Sequence, residues 1–436
     1  MPRSWAFLGV LCALAGSGVI AAPAEPSRVT AQAGPSADLT RAVRALWTGN
    51  PEVQVARAEL EAARARARAA HQPLYNPSLE LAAENADVDR RTIGVSLALD
   101  LSGKRRARGA VGDAELDVAQ AAYEVVRRDV AARWLKVWFE TTLVVQESRL
   151  GQRRVELMAR FAELAERRLK VGDISSTERD LAALALTEAQ AQQAALLGKA
   201  PGVQASLAAL GGPADASLPT PPRELPPMPR DDAAVAMERL PEWRLAQART
   251  SSADASVRAA QRDRIPDPTI ALTGGRVRTG SAAGMSQNVV GVSLSVPLPI
   301  RNNYRAEVDA ARAESDAAAA GFSGQRLTLR ARANETSARY RALREASAAF
   351  RGGRAAAFDE RTGLLERLWG AGEIGTSDYL VQLKQSLDTA LSGMQLENET
   401  WQAWIDYLGA HGQLTAWGEG RDDEGDNKPS LRDSNR

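Results

Sequence analysis

"GVSLALDLSGKRRAR", residues 94–108, joins two periodicities within fifteen positions. Val95, Leu97, Leu99 and Leu101 alternate with Gly94, Ser96, Ala98 and Asp100, the two-residue period of a strand with one apolar face. From Lys104 onward the chain is basic, Ala-rich and free of proline, which suits a helix. The same join recurs at 291–305, "GVSLSVPLPIRNNYR", where Val292, Leu294, Val296 and Leu298 alternate with small or polar partners. A chain that makes this transition twice reads as two copies of one unit.

Working outward, "SLELAAEN" (78–85) supplies an antiparallel partner across a charged turn, "ADVDRR" (86–91), so residues 78–101 are expected to form a hairpin and 268–298 a second. Before the first, residues 37–71 read as one helix, ended by Pro73 and Pro77. After it, 104–170 contains no proline and is expected to be a single helix of roughly 60 residues and ~90 Å. Gly172 interrupts that helix in a tip turn, 171–175, and a returning helix covers 176–210. A proline-dense linker, 211–231, follows. The program then repeats: "LPEWRLAQA" (240–248) mirrors "NPEVQVARA" (50–58), and "GAGEIGTSDYL" (370–380) mirrors "KVGDISSTERDL" (170–181). The second unit, 232–412, is expected to hold a long helix 303–369, a tip turn 370–375 and a helix 376–411. Residues 413–436 read as a disordered tail.

The first 21 residues have the pattern of an export signal, with Arg3 ahead of an apolar core and small residues at the cleavage region, which extends to 24 at most. Residues 22–36 are expected to be a flexible lead. Cys12, the single cysteine, lies inside the signal without a small residue before it, so no lipid anchor is expected, and removal of the signal leaves no thiol chemistry. Lys and Arg number 55 against 54 Asp and Glu, well mixed along the chain, which excludes the concentrated basic face of a nucleic-acid partner. His71 and His411 are the only histidines, and no phosphate loop, nucleophile elbow or metal-ligand spacing is present, so neither an enzyme nor a cofactor is expected.

Each alternating strand is long enough to cross an outer membrane's hydrocarbon layer. Strands in lipid must close into a barrel, and four cannot do so. The chain is therefore expected to share a barrel with copies of itself. Three copies give twelve strands and leave a lumen, which the long helices would continue as a tube.

This order of helix, hairpin, long helix, tip turn and helix, made twice behind an export signal, resembles the TolC-type outer-membrane efflux channel family over residues 37–412. "RLKVGDISSTERD" and "LWGAGEIGTSDYL" are similar to the family's two periplasmic tip motifs. "LDLSGKRRARGA" and "VPLPIRNNYRAEVDAARAE" resemble the strand-to-helix joins of its heavy-metal branch, the CzcC-type partners of resistance-nodulation-division (RND) cation exporters. The resemblance implies a mainly α fold, with a trimeric 12-stranded barrel built from two hairpins per chain and a periplasmic helical barrel. It implies a homotrimer in the outer membrane of a Gram-negative bacterium, working with a periplasmic membrane-fusion adaptor and an inner-membrane RND transporter to pass divalent heavy-metal cations.

By the same resemblance, Arg168, Leu169, Lys170, Val171, Gly172 and Asp173, with Trp369, Gly370, Ala371, Gly372 and Glu373, form the tips where the adaptor docks. Glu178 and Asp378, each six residues past a tip glycine, take the place of acids that narrow the closed mouth; Val381 stands where a second such acid can occur. Alternation alone places Glu80, Glu84 and Asp100 on the lumen face. Arg105, Arg106, Arg108, Arg301 and Arg305, just past the strands, are placed to meet lipid phosphates. Trp134 with Trp138 and Trp401 with Trp404 are spaced for packing between helices. Three other readings stay open: a multidrug channel or a type I secretion channel of the same fold, and a non-conducting periplasmic coiled-coil scaffold.

Overall fold

The computed structural model describes residues 37–85, 88–211, 219, 222, 224–229, 237–279, 285–353 and 358–419. The expected signal, 1–21, and the lead, 22–36, lie outside the described residues, as does most of the 413–436 tail.

The stretch expected as one helix, 37–71, is two: α1 (Ala37–Gly49) and α2 (Pro51–Ala70). Asn50 separates them in an extended conformation, and its side chain accepts from the Val53 amide at 3.1 Å. Pro51 sits at the first helical position, where its missing N–H costs nothing. The Asn50 amide nitrogen also donates to the Leu210 carbonyl at 2.8 Å, fixing this break against the end of the returning helix.

The two hairpins are β1 (Ser78–Asn85) with β2 (Val88–Ala98), and β3 (Thr269–Thr279) with β4 (Ser286–Ser295). Strand β2 takes in most of the expected turn 86–91, because Asp89, Arg90 and Arg91 pair with Asn85, Glu84 and Ala83. The four strands form one antiparallel sheet in the order β1-β2-β3-β4, with Ala98 opposite Thr269 and Val95 opposite Leu272 joining the hairpins. Register gathers Leu79, Leu81, Ile93, Val95, Leu97, Ile270, Leu272, Val290, Val292 and Leu294 on one face. All ten are exposed. The opposite face carries Glu80, Gly94, Ser96, Thr92, Ala271, Thr273, Gly291 and Ser293.

From the sheet, α3 (Lys104–Lys170) runs unbroken for 67 residues, about 100 Å at 1.5 Å per residue. It packs along α2, α4 (Ser176–Ala209), α5 (Pro241–Asp263) and α8 (Thr376–Ala410). Glycine makes its approach to α2 possible: a Cβ on Gly112 would lie 2.8 Å from that of Ala70, and one on Gly109 would lie 2.7 Å from the His71 ring. The second long helix, expected over 303–369, is divided into α6 (Arg305–Gly352) and α7 (Phe358–Gly370). Gly353 is extended at φ −86°, ψ 166°, and two adjacent glycines cost helix roughly 1 kcal/mol each relative to alanine.

Two apolar cores hold the helices together. The one nearer the chain ends is built on Trp134, Trp138, Phe139, Tyr340, Trp401 and Trp404, with Trp134 and Trp138 stacked at 6.1 Å and Phe139 on Trp401 at 4.7 Å. The tryptophans therefore pack between helices as their spacing predicts. The described part of the linker closes over this core, with the Trp138 indole donating to Pro219 at 3.2 Å and Arg344 to Pro226 at 2.6 Å. The tail is not wholly disordered. Its start forms α9 (Leu414–Glu419), in which Leu414 is buried, Trp417 meets Trp404 edge-on at 4.8 Å, and Glu419 pairs with Arg127 at 3.0 Å. The second core lies at the far end of the helices, around Phe161, Leu365, Trp369, Tyr379 and Leu383.

Candidate functional site

Both helical hairpins turn by the same device. In the first, the Gly172 amide donates to the Leu169 carbonyl at 3.0 Å and the Asp173 amide to the Arg168 carbonyl at 2.9 Å, with Gly172 at φ +79°. In the second, Gly372 donates to Trp369 at 3.0 Å and Glu373 to Leu368 at 2.9 Å, with Gly372 at φ +76°. These are paired Schellman caps, and the left-handed residue each needs is the reason glycine stands there. The exits differ. Ser175 and Glu178 form a reciprocal capping box at the start of α4, whereas Gly375 at the start of α8 has no side-chain cap.

The expected tip residues fall into three environments. Lys170, Val171, Gly172, Asp173, Gly370, Ala371, Gly372 and Glu373 are exposed at the ends of the hairpins. Arg168 and Leu169 are half-buried. Trp369 is 3% exposed, packed on Phe161 at 4.4 Å and Tyr379 at 5.3 Å, so the expectation that it offers a docking surface is corrected: it anchors the second tip from inside. Arg168 is likewise directed inward. It donates to the carbonyls of Trp369 at 3.2 Å and Gly370 at 3.0 Å, lies 4.8 Å over the Trp369 ring, and meets Asp173 at 3.5 Å. It thus ties the first tip to the second.

Glu178 and Asp378 occupy the first turns of α4 and α8, as their offsets from the tip glycines predict. The Glu178 carboxylate accepts from the Ser175 amide at 2.8 Å and the Ser175 hydroxyl at 3.0 Å, and these bonds hold its pKa below the usual glutamate value. Asp378 is exposed and has no ion pair among the described residues. Behind the tips, α4 and α8 enclose a groove lined by Leu181, Leu184, Leu380, Val381 and Leu387. At its floor Lys384 bridges to Glu188 at 3.0 Å, while Arg154, nearly buried, stands about equally far from Glu188 (4.0 Å) and Asp388 (3.9 Å). This charged group was not anticipated. Its one signal in sequence is Arg154 on the apolar stripe of Leu150, Leu157 and Phe161.

At the sheet, Glu80 and Glu84 lie on the face opposite the exposed apolar side chains, and Glu84 is directly opposite Arg90. Asp100 does not share that role. It lies beyond β2, and its two oxygens accept from the amides of Lys104 and Arg105, both at 2.8 Å, capping the start of α3. Next to it, Asp267 binds the Lys104 ammonium at 2.9 Å and the Tyr75 hydroxyl at 2.6 Å, which ties the start of α3 to the segments leading into β1 and β3. Tyr75 is therefore held by a side-chain hydrogen bond as well as placed beside the sheet. Among the described residues no group of three or more His, Cys, Asp or Glu is placed to hold a metal ion, and no helix is long and apolar enough to cross a membrane.

Residues 43–212 and 234–412 match the outer membrane efflux protein family, one block for each repeat. This chain belongs to the outer membrane efflux protein family. Members of the family and of this TolC-like fold are passive outer-membrane channels. Among relatives, this chain is 25% identical over 58% of its length to the cobalt-zinc-cadmium resistance protein CzcC of Cupriavidus metallidurans, covering 61% of that protein. It is 27% identical over 64% of its length to the nickel-cobalt-cadmium resistance protein NccC of Alcaligenes xylosoxydans xylosoxydans, covering 65% of that one. Each match spans less than two thirds of the relative's own length. In fold, this chain superimposes on a membrane protein from Pseudomonas aeruginosa with a TM-score of 0.71 at 18% identity, over 90% of this chain and 99% of that one.

Proposed function

We propose that the chain is the outer-membrane duct of a tripartite RND-type efflux system, a homotrimer that passes divalent heavy-metal cations outward. One observation carries this reading above the others: a four-stranded sheet with ten exposed apolar side chains on one face and, among the described residues, both edge strands unpaired, continued by a helix about 100 Å long. Exposed apolar surface on that scale marks a lipid or partner contact, and open strand edges in lipid require closure. Three copies supply twelve strands, with β1 of one copy against β4 of the next. The exposed tip residues Lys170, Val171, Gly172, Asp173, Gly370, Ala371, Gly372 and Glu373 are the docking surface for a periplasmic adaptor, because paired caps leave a partner's hairpin free access to two helix ends. The names of the two metal-resistance relatives support cobalt, zinc, cadmium or nickel as cargo.

Membrane fractionation and mass measurement of the detergent-extracted protein test the duct, with an outer-membrane trimer expected and a soluble periplasmic monomer favouring the scaffold reading. Deletion of the gene, followed by growth in cobalt, zinc, cadmium and nickel salts beside dyes and antibiotics, tests the cargo. Unchanged metal tolerance with lost antibiotic or dye tolerance transfers the assignment to a multidrug channel.

A further inference from the structure

The apolar face of the sheet stops abruptly at the hairpin ends. Following register along that face, Leu97 with Ile270 and Leu294, Val95 with Leu272 and Val292, and Ile93 with Gly274 and Val290 form successive rows. The next row is Arg91 with Arg276 and Asn288, and the one after is Asp89 with Arg278 and Ser286. Three guanidinium groups thus stand together on the side of the sheet that carries the apolar residues. Arg91, Arg276 and Arg278 are all exposed. Arg91 meets Asp89 at 3.3 Å with 78% of its side chain still accessible, while Arg276 and Arg278 have no ion pair among the described residues. The cluster keeps a net charge of two positive units after Asp89 is counted. The opposite face at this level is different: Arg90 stands across from Glu84, an opposed pair.

At the other end of the apolar face, Leu101, Leu298 and Ile300 extend the exposed surface to Arg105 and Arg301. From Leu101 to Ile93 is eight residues, which at strand rise and barrel tilt approaches the ~25 Å apolar band of an outer-membrane barrel. The three arginines therefore begin where hydrocarbon ends, on the surface turned toward lipid. Arginine binds phosphate through a planar fork of donors, and its stem can lie along apolar surface while the head reaches the headgroup layer. Aromatic residues, the usual markers of this level, are missing from these rows.

Resting on the outer-membrane channel reading, we infer that Arg91, Arg276 and Arg278 form a binding site on the outside of the barrel for the phosphate groups of the outer leaflet's phosphorylated glycolipid. The site lies at the hairpin ends, away from the tips where the adaptor would dock and on the reverse of the lumen face. Three such sites would ring a trimer and hold its rim at a fixed depth.

The full-length channel, purified in mild detergent and reconstituted in phosphatidylcholine nanodiscs, tests this with added bis-phosphorylated lipid A or the same glycolipid stripped of phosphate. Native mass spectrometry counts the glycolipid retained. About tenfold preference for the phosphorylated form is expected, with loss of the preference in R91Q/R276Q/R278Q and its retention in R91K/R276K/R278K. The R326Q/R330Q variant, which removes two exposed arginines of α6 away from the sheet, should keep it. Equal retention of the two glycolipids by the unaltered protein, or an unchanged preference in the triple glutamine variant, overturns the inference while leaving the channel intact. Failure of the unaltered protein to insert into any nanodisc overturns the channel reading, and the inference with it. Circular dichroism and trimer mass of each variant identify any loss of folding, and the lysine variant then decides between charge and architecture.

Discussion

The Arg168 guanidinium lies 4.8 Å above the Trp369 ring and donates to the Trp369 and Gly370 carbonyls, although the two residues are separated by 201 positions. One side chain of the first repeat thus caps the last turn of α7 in the second. The tips are coupled, and a partner that moves one hairpin acts on the other through this contact.

Arg168→Ala is therefore expected to loosen the paired tips. A cation-π contact with charge-assisted hydrogen bonds at a mostly covered site is worth about 1–3 kcal/mol. A lowered thermal midpoint by circular dichroism and a raised basal conductance in planar bilayers should appear together. Arg168→Lys should rescue little, since an ammonium cannot reach two carbonyls and stack on the indole at once. Full rescue by lysine would show that charge alone acts here.

The tip glycines give a second, independent prediction. No atom lies within 4 Å of a Cβ placed on Gly172 or Gly372, so alanine there meets only the cost of a left-handed backbone, roughly 1 kcal/mol at each site. Asparagine, which tolerates that region better, should cost less than alanine at both positions. Urea unfolding of the four single variants checks this order.

How much of this was legible in the sequence depended on where the partner lay. Strand alternation, the two repeats and both tip glycines are local signals, and they reappear at the positions read. The break at Asn50 was missed because apolar residues keep a helical rhythm across it, from Leu46 to Val53. Its signal was Asn50–Pro51, a cap followed by proline at the first helical position. The start of the tail was misread because its charged later residues outweighed Leu414 and Trp417, whose partners belong to α1 and α8. Asp100 follows the strand alternation, yet it lies past the last paired residue and serves the helix. The burial of Trp369 was not visible, since Phe161 and Tyr379 reach it from two other helices.

The buried junction next to the sheet should respond strongly to loss of one partner. Asp267 and Lys104 expose only 6% and 15% of their side chains, so Asp267→Asn leaves a covered ammonium without its direct ion-pair partner, with the Asp100 carboxylate as the remaining negative charge nearby. That arrangement costs about 3 kcal/mol or more. The double variant Asp267→Asn with Lys104→Met should be more stable than Asp267→Asn alone, because the stranded charge is gone. Tyr75, whose hydroxyl is pushed up to about 12 chiefly by its bond to Asp267, should titrate closer to 10 in either variant, read by ultraviolet absorbance.

His411 makes part of the stability depend on pH. Burial holds its pKa below 6.5, opposed by the bond to the Tyr407 carbonyl at 2.9 Å; Ser337 lies 3.3 Å from its other nitrogen. The unfolded chain takes up a proton as pH falls through about 6.5, whereas the folded chain resists it. The contribution is therefore complete above that pH and declines below it. Between pH 7 and pH 5 the thermal midpoint should fall more steeply for the unaltered protein than for His411→Gln, and parallel slopes would remove His411 from the account.

Glu178 and Asp378 occupy matching positions, yet only one is free to act on passing ions. The Glu178 carboxylate is committed to the Ser175 amide and hydroxyl, so Glu178→Ala, which removes both acceptances, should mainly weaken the start of α4. Asp378 has no such engagement, and around a threefold axis three of its carboxylates would repel one another while attracting cations. Asp378→Asn should therefore lower cation-over-anion selectivity in bilayer recordings while leaving the melting midpoint nearly unchanged. The opposite pattern, with selectivity following Glu178 and stability following Asp378, would assign the narrowed mouth to α4 instead of α8.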